Sequence, residues 1–486
     1  MKSLFETVIG LEIHAELATK EKLFCGCQNR FGAPPNTLCC PVCLGKSGAP
    51  PPHLNMQAVE YAVMLGHALS CKINETSSFD RKHYEYPDLP KGYQITQYHT
   101  PICQNGYVEY LLDGERHKVR INRIHIEEDA GKIVHESQSG QTIVDHNRCG
   151  VPLVEIVTEP DMRSAAQAKA CMEAVAQILR YLKISDLKME EGSLRADVNV
   201  SVRPVGGALG ARTEMKNINS FGAVARAIEY EAQRQRDLLD KKAPVFEETR
   251  RWDDQKRRNE VLRQKEQARD YHYIPEPDLA PLVLKPSTIQ SLKHGLPELP
   301  MALFGRLQKQ YDLSSLQASV LLQDPALAAF FEQSAAASPC DGGLLANWLV
   351  GEVQQHLRTA KKSIEETSLQ PGRFSQLIEM VESGEITSTV AKEILPQMLQ
   401  SGVSARTLVK AQNLERISDE TEIVALVEGL LQENASAVSD YQKGKGKALG
   451  FLVGQGMKKS GGRADPVALR ESIEKALGQG GQAPLV

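Results

Sequence analysis

Residues able to do chemistry recur at every second position in several short runs of this chain. In residues 11–17, Glu12, His14 and Glu16 alternate with Leu11, Ile13, Ala15 and Leu17. If the run is a strand, alternate side chains share a face, so one face is acidic and the other apolar. The same split separates Asp197, Asn199, Ser201 and Arg203 from Val198, Val200 and Val202. Arg212, Glu214 and Lys216 fall on one face, as do Arg123, His125 and Glu127, which run on into Glu128 and Asp129. Residues 151–157 are apolar almost throughout, with Glu155 in the middle.

A solvated face explains any one such strand taken alone. As a set they fit it poorly. The polar positions hold many carboxylates and few of the Thr, Ser and Lys residues of plain surface. Glu155 sits in a run that reads as buried, where an unpaired charge costs several kcal/mol. Carboxylates gathered on one concave sheet face need a cation, and hard oxygen donors with one imidazole suit Mg²⁺ or Mn²⁺. Magnesium in turn suggests nucleotide phosphates.

The chain contains neither GxxxxGK[ST] nor a kinase-type GxGxxG motif. If ATP is used, metal plus cationic side chains must hold its phosphates. The candidates are Lys91, Arg195, Arg203, Arg212 and Lys216. Lys91 lies in Tyr86-Pro-Asp-Leu-Pro-Lys-Gly-Tyr93, where two prolines and a glycine favour a fixed loop suited to clamping a ligand. Such a loop is equally a common structural corner.

Five of the ten cysteines crowd between Cys25 and Cys43. Cys25-Gly-Cys27 followed by Cys40-Pro-Val-Cys43 has the spacing of two knuckles around tetrahedral Zn²⁺. Cys39 is an alternative ligand whose side chain should point away from a regular knuckle. A redox CxxC opens a helix in a βαβ context, and none surrounds Cys40 and Cys43. Structural zinc is therefore the preferred reading.

These residues need elements to hold them. The first part of the chain is rich in short strand-like runs broken by Gly, Pro, Asn and Asp. Within it, Ser164 is a good N-cap. Ala168, Cys171, Val175, Ile178 and Leu182 then form one apolar helical stripe, read as core against the sheet. After a proline-bearing stretch, helical periodicity takes over, with short helices predicted over residues 301–311, 344–359, 374–383 and 388–400. A second break falls near residues 400–404. The expected fold is α+β, with a β-rich domain over residues 1–290, an all-α domain over 291–402 and a small all-α tail over 403–486.

The bulk figures agree with a multi-domain globular chain. It has 486 residues, 41% hydrophobic and 24% charged, too many for one ordinary core. A formal net charge of −4 excludes a uniformly basic nucleic-acid binder, though not a local basic patch. Lys443, Lys445, Lys447, Lys458, Lys459 and Arg463 supply such a patch around the apolar residues 448–453. It reads equally as a solvated helix or as a contact for a polyanion without base stacking. No apolar run is long enough to span a bilayer, and the N-terminus has no leader pattern, so a cytoplasmic location is expected.

Longer motifs carry a resemblance. Val8-Ile-Gly-Leu-Glu-Ile-His14, Cys40-Pro-Val-Cys-Leu-Gly45, Leu153-Val-Glu-Ile-Val-Thr-Glu-Pro-Asp161 and Glu214-Met-Lys-Asn-Ile-Asn-Ser-Phe221 resemble the B subunits of the tRNA-dependent amidotransferases. So do Asp197-Val-Asn-Val-Ser201, Asp270-Tyr-His-Tyr273, Asn347-Trp-Leu-Val-Gly-Glu352 and Lys447-Ala-Leu-Gly-Phe-Leu-Val-Gly-Gln455, so the likeness spans nearly the whole chain. The resemblance implies a cradle-shaped, kinase-like first domain using ATP and Mg²⁺, with both later domains contacting transfer RNA. It implies an amidase A subunit that releases ammonia and a small C subunit. The substrates implied are tRNA(Gln) misacylated with Glu, tRNA(Asn) misacylated with Asp, or both. Carried onto this chain, it makes Glu12, His14, Glu127 and Glu155 the magnesium and phosphoryl-site residues, with Asp197, Glu214 and Lys216 as further catalytic candidates. Cys25, Cys27, Cys40 and Cys43 align with its zinc knuckles.

Two other classes compete. A non-catalytic RNA-binding scaffold explains the cysteines and lysines but leaves Glu155 and the Glu12–His14 face unused. A metal-dependent hydrolase uses the same acidic face and differs in not coupling ATP to product. No Ser-cis-Ser-Lys amidase signature is evident, so ammonia has to come from a partner.

Overall fold

The alternation at residues 11–17 belongs to a longer strand, β1 (Phe5–Glu16), at the centre of a nine-stranded sheet. The computed structural model describes residues 4–135, 141–264, 271–417 and 419–479. After β1 come β2 (Lys72–Ile73), β3 (Thr76–Ser77), β4 (Asp80–His83), β5 (Tyr93–Thr96), β6 (Cys103–Leu112) and β7 (Glu115–Glu128). There follow β8 (Lys132–His135), β9 (Thr142–Asp145), β10 (Pro152–Thr158), β11 (Leu194–Pro204) and β12 (Thr213–Ile218). The last are β13 (Glu248–Asp253), β14 (Arg258–Gln264), β15 (His272–Pro275) and β16 (Leu282–Val283).

In space the large sheet runs β14-β13-β12-β11-β1-β10-β7-β6-β2. Its pairs are antiparallel except β12 with β13. One face is apolar: Ile9, Leu11, Ile13 and Ala15 of β1 join Val198 and Val200 of β11, Val154 and Ile156 of β10, and Ile124 and Ile126 of β7 in one buried cluster. Three helices cover that face: α1 (Met56–Ala68), α2 (Ala165–Leu182) and α3 (Phe221–Asp240). The other face receives the charged alternates. Glu155 stands out in sequence because β10 is buried on both faces, with Leu153 fully covered beside it.

The helices start where their caps allow. The Ser164 side chain accepts from the Gln167 N–H at the start of α2, and every residue of the predicted stripe is buried. Ser220 caps α3 in the same way. Glu231 of α3, fully buried, takes hydrogen bonds from Arg234 and Gln235 of its own helix and from Asn259 of β14. Gln235 in turn accepts the Val202 N–H of β11. That network fixes the helix on the sheet, since each buried polar group is matched.

A smaller sheet, β15-β4-β5, lies against the end of β7. Gln94 donates to the Glu128 carbonyl, and the Ile126 N–H donates to Gln97. This brings β4 and β15 to the polar face of the large sheet.

The chain divides into two compact units, Met1–Leu303 and Phe304–Val486. Among its described residues the second is built from helices, with one isolated bridge between Ile417 and Ala464. The run predicted as one helix over residues 344–359 forms a continuous helical rod from Gly342 to Ala360, interrupted by a π-turn at Leu349–Val353. Its last helices, from Glu420 onward, close around Val427, Leu430, Leu452, Leu469 and Ile473. Gly456 lets them approach, for a Cβ there would lie 2.6 Å from Leu469 Cδ2. Among the described residues no helix is long and apolar enough to cross a membrane.

Candidate active site and metal centre

Strand register builds the first site. His14 of β1 lies opposite Glu155 of β10, and Glu155 lies opposite His125 of β7. Both imidazoles reach the same carboxylate oxygen: His14 Nε2 and His125 Nε2 each lie 3.3 Å from Glu155 Oε2. Glu127 completes the group, 3.7 Å from His14 and 3.5 Å from His125. One ligand atom each from His14, Glu127 and Glu155 lies within 4.8 Å of the others.

Burial governs the charges here. It disfavours charge on His125, but Glu155 and Glu127 outweigh it and lift the imidazolium to about 9. His14 is raised for the same reasons, burial again opposing Glu155 and Glu127. Burial pushes Glu155 up, and His125 and His14 more than reverse this, holding it well below the carboxylate range. On both imidazoles burial and the neighbouring carboxylates pull in opposite directions, and the carboxylates prevail. Two buried carboxylates and one imidazole are a donor set that fits Mg²⁺ or Mn²⁺.

A second acidic group lies next along β1. Glu12 pairs in register with Asp197 of β11, and Glu214 of β12 joins them within 4.8 Å. Lys216 Nζ bonds Asp197 and lies 2.8 Å from Glu214. Asn199 donates to Glu12 at 2.9 Å. Burial, then the charge of Glu155, raises the Glu12 carboxyl. The four residues assigned to magnesium therefore divide: His14, Glu127 and Glu155 converge, while Glu12 converges with Asp197 and Glu214.

Apart from Lys216, the other four of the five candidate phosphate cations are dispersed. Arg195 sits beside His14 in register but is bound to Asp129 at 2.7 Å. Arg203, at the far end of β11, pairs with Glu6 at 2.8 Å. Arg212 is exposed, just before β12 begins. Lys91 bonds Glu128, whose side chain points away from the face that carries Glu127, and lines a cavity of about 340 Å³ with Cys25, Cys43 and Gly150. Asp270 lies outside the described residues.

Two side chains near the site were not assigned from the sequence. His125 shares a face with Glu127, and that alternation was the available signal. Lys82 of β4 is brought to the cluster by the small sheet; the charges of Glu127 and Glu155 raise its ammonium against the effect of burial. Its Nζ lies 4.7 Å over the Tyr271 ring, and among the described residues it has no ion-pair partner. Sequence spacing gave no sign of that placement, because β4 belongs to another sheet.

The cysteine knuckles meet as their spacing predicted. One sulfur each from Cys25, Cys27, Cys40 and Cys43 lies within 4.8 Å of the others, and the Cys40 and Cys43 sulfurs are 3.9 Å apart. Zinc–sulfur bonds of about 2.3 Å in a tetrahedron require sulfurs at about this separation. Cys39 turns away, its sulfur 3.8 Å from Asn147 Oδ1. The residues fit a four-thiolate metal centre.

Similarity to known proteins now decides the family. A sequence model of the GatB/GatE catalytic domain matches residues 7–290, and one of the GatB domain matches residues 329–477. The chain belongs to the GatB family. It is 46% identical over 476 residues to the B subunit of the aspartyl/glutamyl-tRNA(Asn/Gln) amidotransferase of Lachnoclostridium phytofermentans, covering 98% of this chain and 99% of that one. It is 47% identical over 477 residues to the protein of the same name from Caldicellulosiruptor bescii, covering 97% and 99%. The polar face built by β12, β11, β1, β10 and β7 lies within the span of the GatB/GatE catalytic domain.

Proposed function

We propose that this GatB-family chain uses ATP to phosphorylate the side-chain carboxylate of Glu-tRNA(Gln), Asp-tRNA(Asn) or both, so that ammonia can replace the phosphate. The observation that carries the reading is the buried convergence of His14, Glu127 and Glu155 beside the Glu12–Asp197–Glu214 group.

The chemistry explains the need. A carboxylate does not react with ammonia at neutral pH, because its oxygen is a poor leaving group. Converted to an acyl phosphate, it has a good one. His14, Glu127 and Glu155 would hold a Mg²⁺ ion, which would supply charge neutralisation for the phosphoryl group. Lys216 and Lys82 are cations that stabilise developing phosphoryl charge from opposite sides of the face. Burial of Glu127 and Glu155 limits water at that end of the face, which favours unprotonated ammonia as nucleophile and lowers competing hydrolysis.

The remaining parts follow from the same reading. Ammonia comes from an amidase A subunit, and a small C subunit joins the two. Zinc occupies Cys25, Cys27, Cys40 and Cys43. The functional division is a catalytic cradle over residues 1–290, a helical domain over 291–402 and an RNA-contacting tail over 403–486. In that tail the helix Lys447–Lys459 exposes Lys447, Gly450, Phe451, Gly454 and Lys458 along one side. A Cβ at Gly450 or Gly454 would meet nothing within 4 Å, which suits close approach of a phosphate backbone. The complex works in the cytoplasm, where its transfer RNA substrates are.

The test is substitution within the reconstituted complex. Glu12→Gln and His14→Ala should each abolish amidation while the partner still hydrolyses glutamine. Full amidation by both variants would sink the assignment.

A further inference from the structure

The side chain of Lys22 is among the largest fully buried in the protein, with only 1% of the residue exposed. An ammonium withdrawn from water is costly unless a negative group meets it. Among the described residues no carboxylate lies within ion-pair distance of it. Its Nζ donates to the Leu38 carbonyl at 2.7 Å and to Cys43 Sγ at 3.8 Å. Gly150 packs over the stem: a Cβ there would lie 3.6 Å from Lys22 Cδ and 3.4 Å from Cys43 Cβ. The backbone holds the lysine in place, for the Lys22 N–H bonds the Cys27 carbonyl across the turn that carries Cys25 and Cys27.

The sulfur cluster offers the missing charge. Four thiolates around Zn²⁺ carry a net charge of −2. Two disulfides, or four thiols, would carry none and would leave a buried ammonium against neutral sulfur. From this geometry we infer that Lys22 is the built-in counter-cation of the four-cysteine metal centre, donating to the Cys43 thiolate and tightening retention of the metal. The inference rests on the zinc reading of the four cysteines. It adds a specific role for a residue outside the ligand set. Partners of this kind, which touch a ligand and not the metal, commonly change metal affinity by about 10- to 100-fold.

The test uses the full chain with its partner subunits. Zinc content of the wild type is measured first, and a metal-free protein that takes up no zinc overturns the metal reading and this inference together. With zinc present, its transfer to a chromogenic chelator is followed for Lys22→Met, Lys22→Gln and Lys22→Arg. Met and Gln remove the charge, and Gln retains a hydrogen-bond donor. Both should release zinc at least about tenfold faster, with Arg staying near the wild type. If the Met variant does not fold, the Gln and Arg pair gives the same comparison. Cobalt substitution supplies a readout that general loosening of the fold would not move. The sulfur-to-cobalt charge-transfer band should shift to longer wavelength in the Met and Gln variants, because an ammonium stabilises the donor sulfur. The d–d bands of a tetrahedral site should stay. Wild-type zinc retention and an unmoved charge-transfer band in the charge-free variants would overturn the assignment of Lys22 while leaving the zinc reading intact.

Discussion

His14 and His125 stand two strands apart and meet at one atom, each placing Nε2 3.3 Å from the same oxygen of Glu155. Antiparallel register makes the meeting obligatory: Glu155 is the cross-strand partner of both. Removing the shared carboxylate therefore disorganises the whole cluster. Glu155→Gln in the reconstituted complex should weaken Mg²⁺ dependence by at least about 10- to 100-fold and cut amidation accordingly. Glutamine hydrolysis by the partner should be unaffected. Magnesium titration of amidation rate checks this, and an unchanged midpoint would count against the site.

Glu231 gives a pH-dependent expectation away from the active face. Burial raises its carboxyl, but Arg234, Gln235 and Asn259 outweigh this and hold it below the ordinary 4.5. A depressed folded value means the contribution is complete above about pH 4.5 and is lost as pH falls through the lowered value. Glu231→Ala leaves Arg234 and Gln235 without their buried partner. Its unfolding free energy near neutral pH should drop by about 3 to 5 kcal/mol. The gap from wild type should narrow in acid, as denaturant titrations at several pH values would reveal.

The cysteine cluster makes a stoichiometric prediction. Purified protein should hold about one zinc per chain, as a four-thiolate site does. Cys43→Ser should lower it sharply. Elemental analysis that finds full zinc in that variant would move the metal elsewhere.

The exposed side of the Lys447–Lys459 helix predicts a salt-dependent contact. Reversing Lys447 and Lys458 to Glu alters no buried group, since both are exposed. Transfer RNA affinity should fall by about tenfold or more, and its dependence on salt should flatten by about one phosphate contact per lost cation. Deleting residues 417–486 should weaken binding further, and by more than it weakens ATP binding. Equal affinity at matched salt would remove the tail from the RNA path.

What the sequence discloses about this site is which side chains share a face. Period-two alternation placed Glu12, His14 and Glu16 opposite Leu11, Ile13 and Ala15, and Asp197 and Asn199 opposite Val198 and Val200. It says nothing of lateral order, because neighbours in this sheet are distant in sequence: β1 lies between β10 and β11. That order decides that Glu12 joins Asp197 and Glu214, and that Glu155 bridges two histidines. Charge type alone also leaves the pairing of the cations open. Arg203 and Arg195 already have carboxylate partners, Glu6 and Asp129, that no local spacing shows. The cysteines were legible because metal-ligand spacing is short-range. Lys22 was not, since an isolated lysine in sequence gives no sign of burial.

The measurement closest to the central claim is ADP release by the chain assembled with its amidase and small partner subunits, with and without Glu-tRNA(Gln) or Asp-tRNA(Asn). Carboxylate activation on this face predicts ADP release that rises only when misacylated transfer RNA is present, in step with amidated product. ADP release indifferent to transfer RNA, or amidation without ADP, would contradict it.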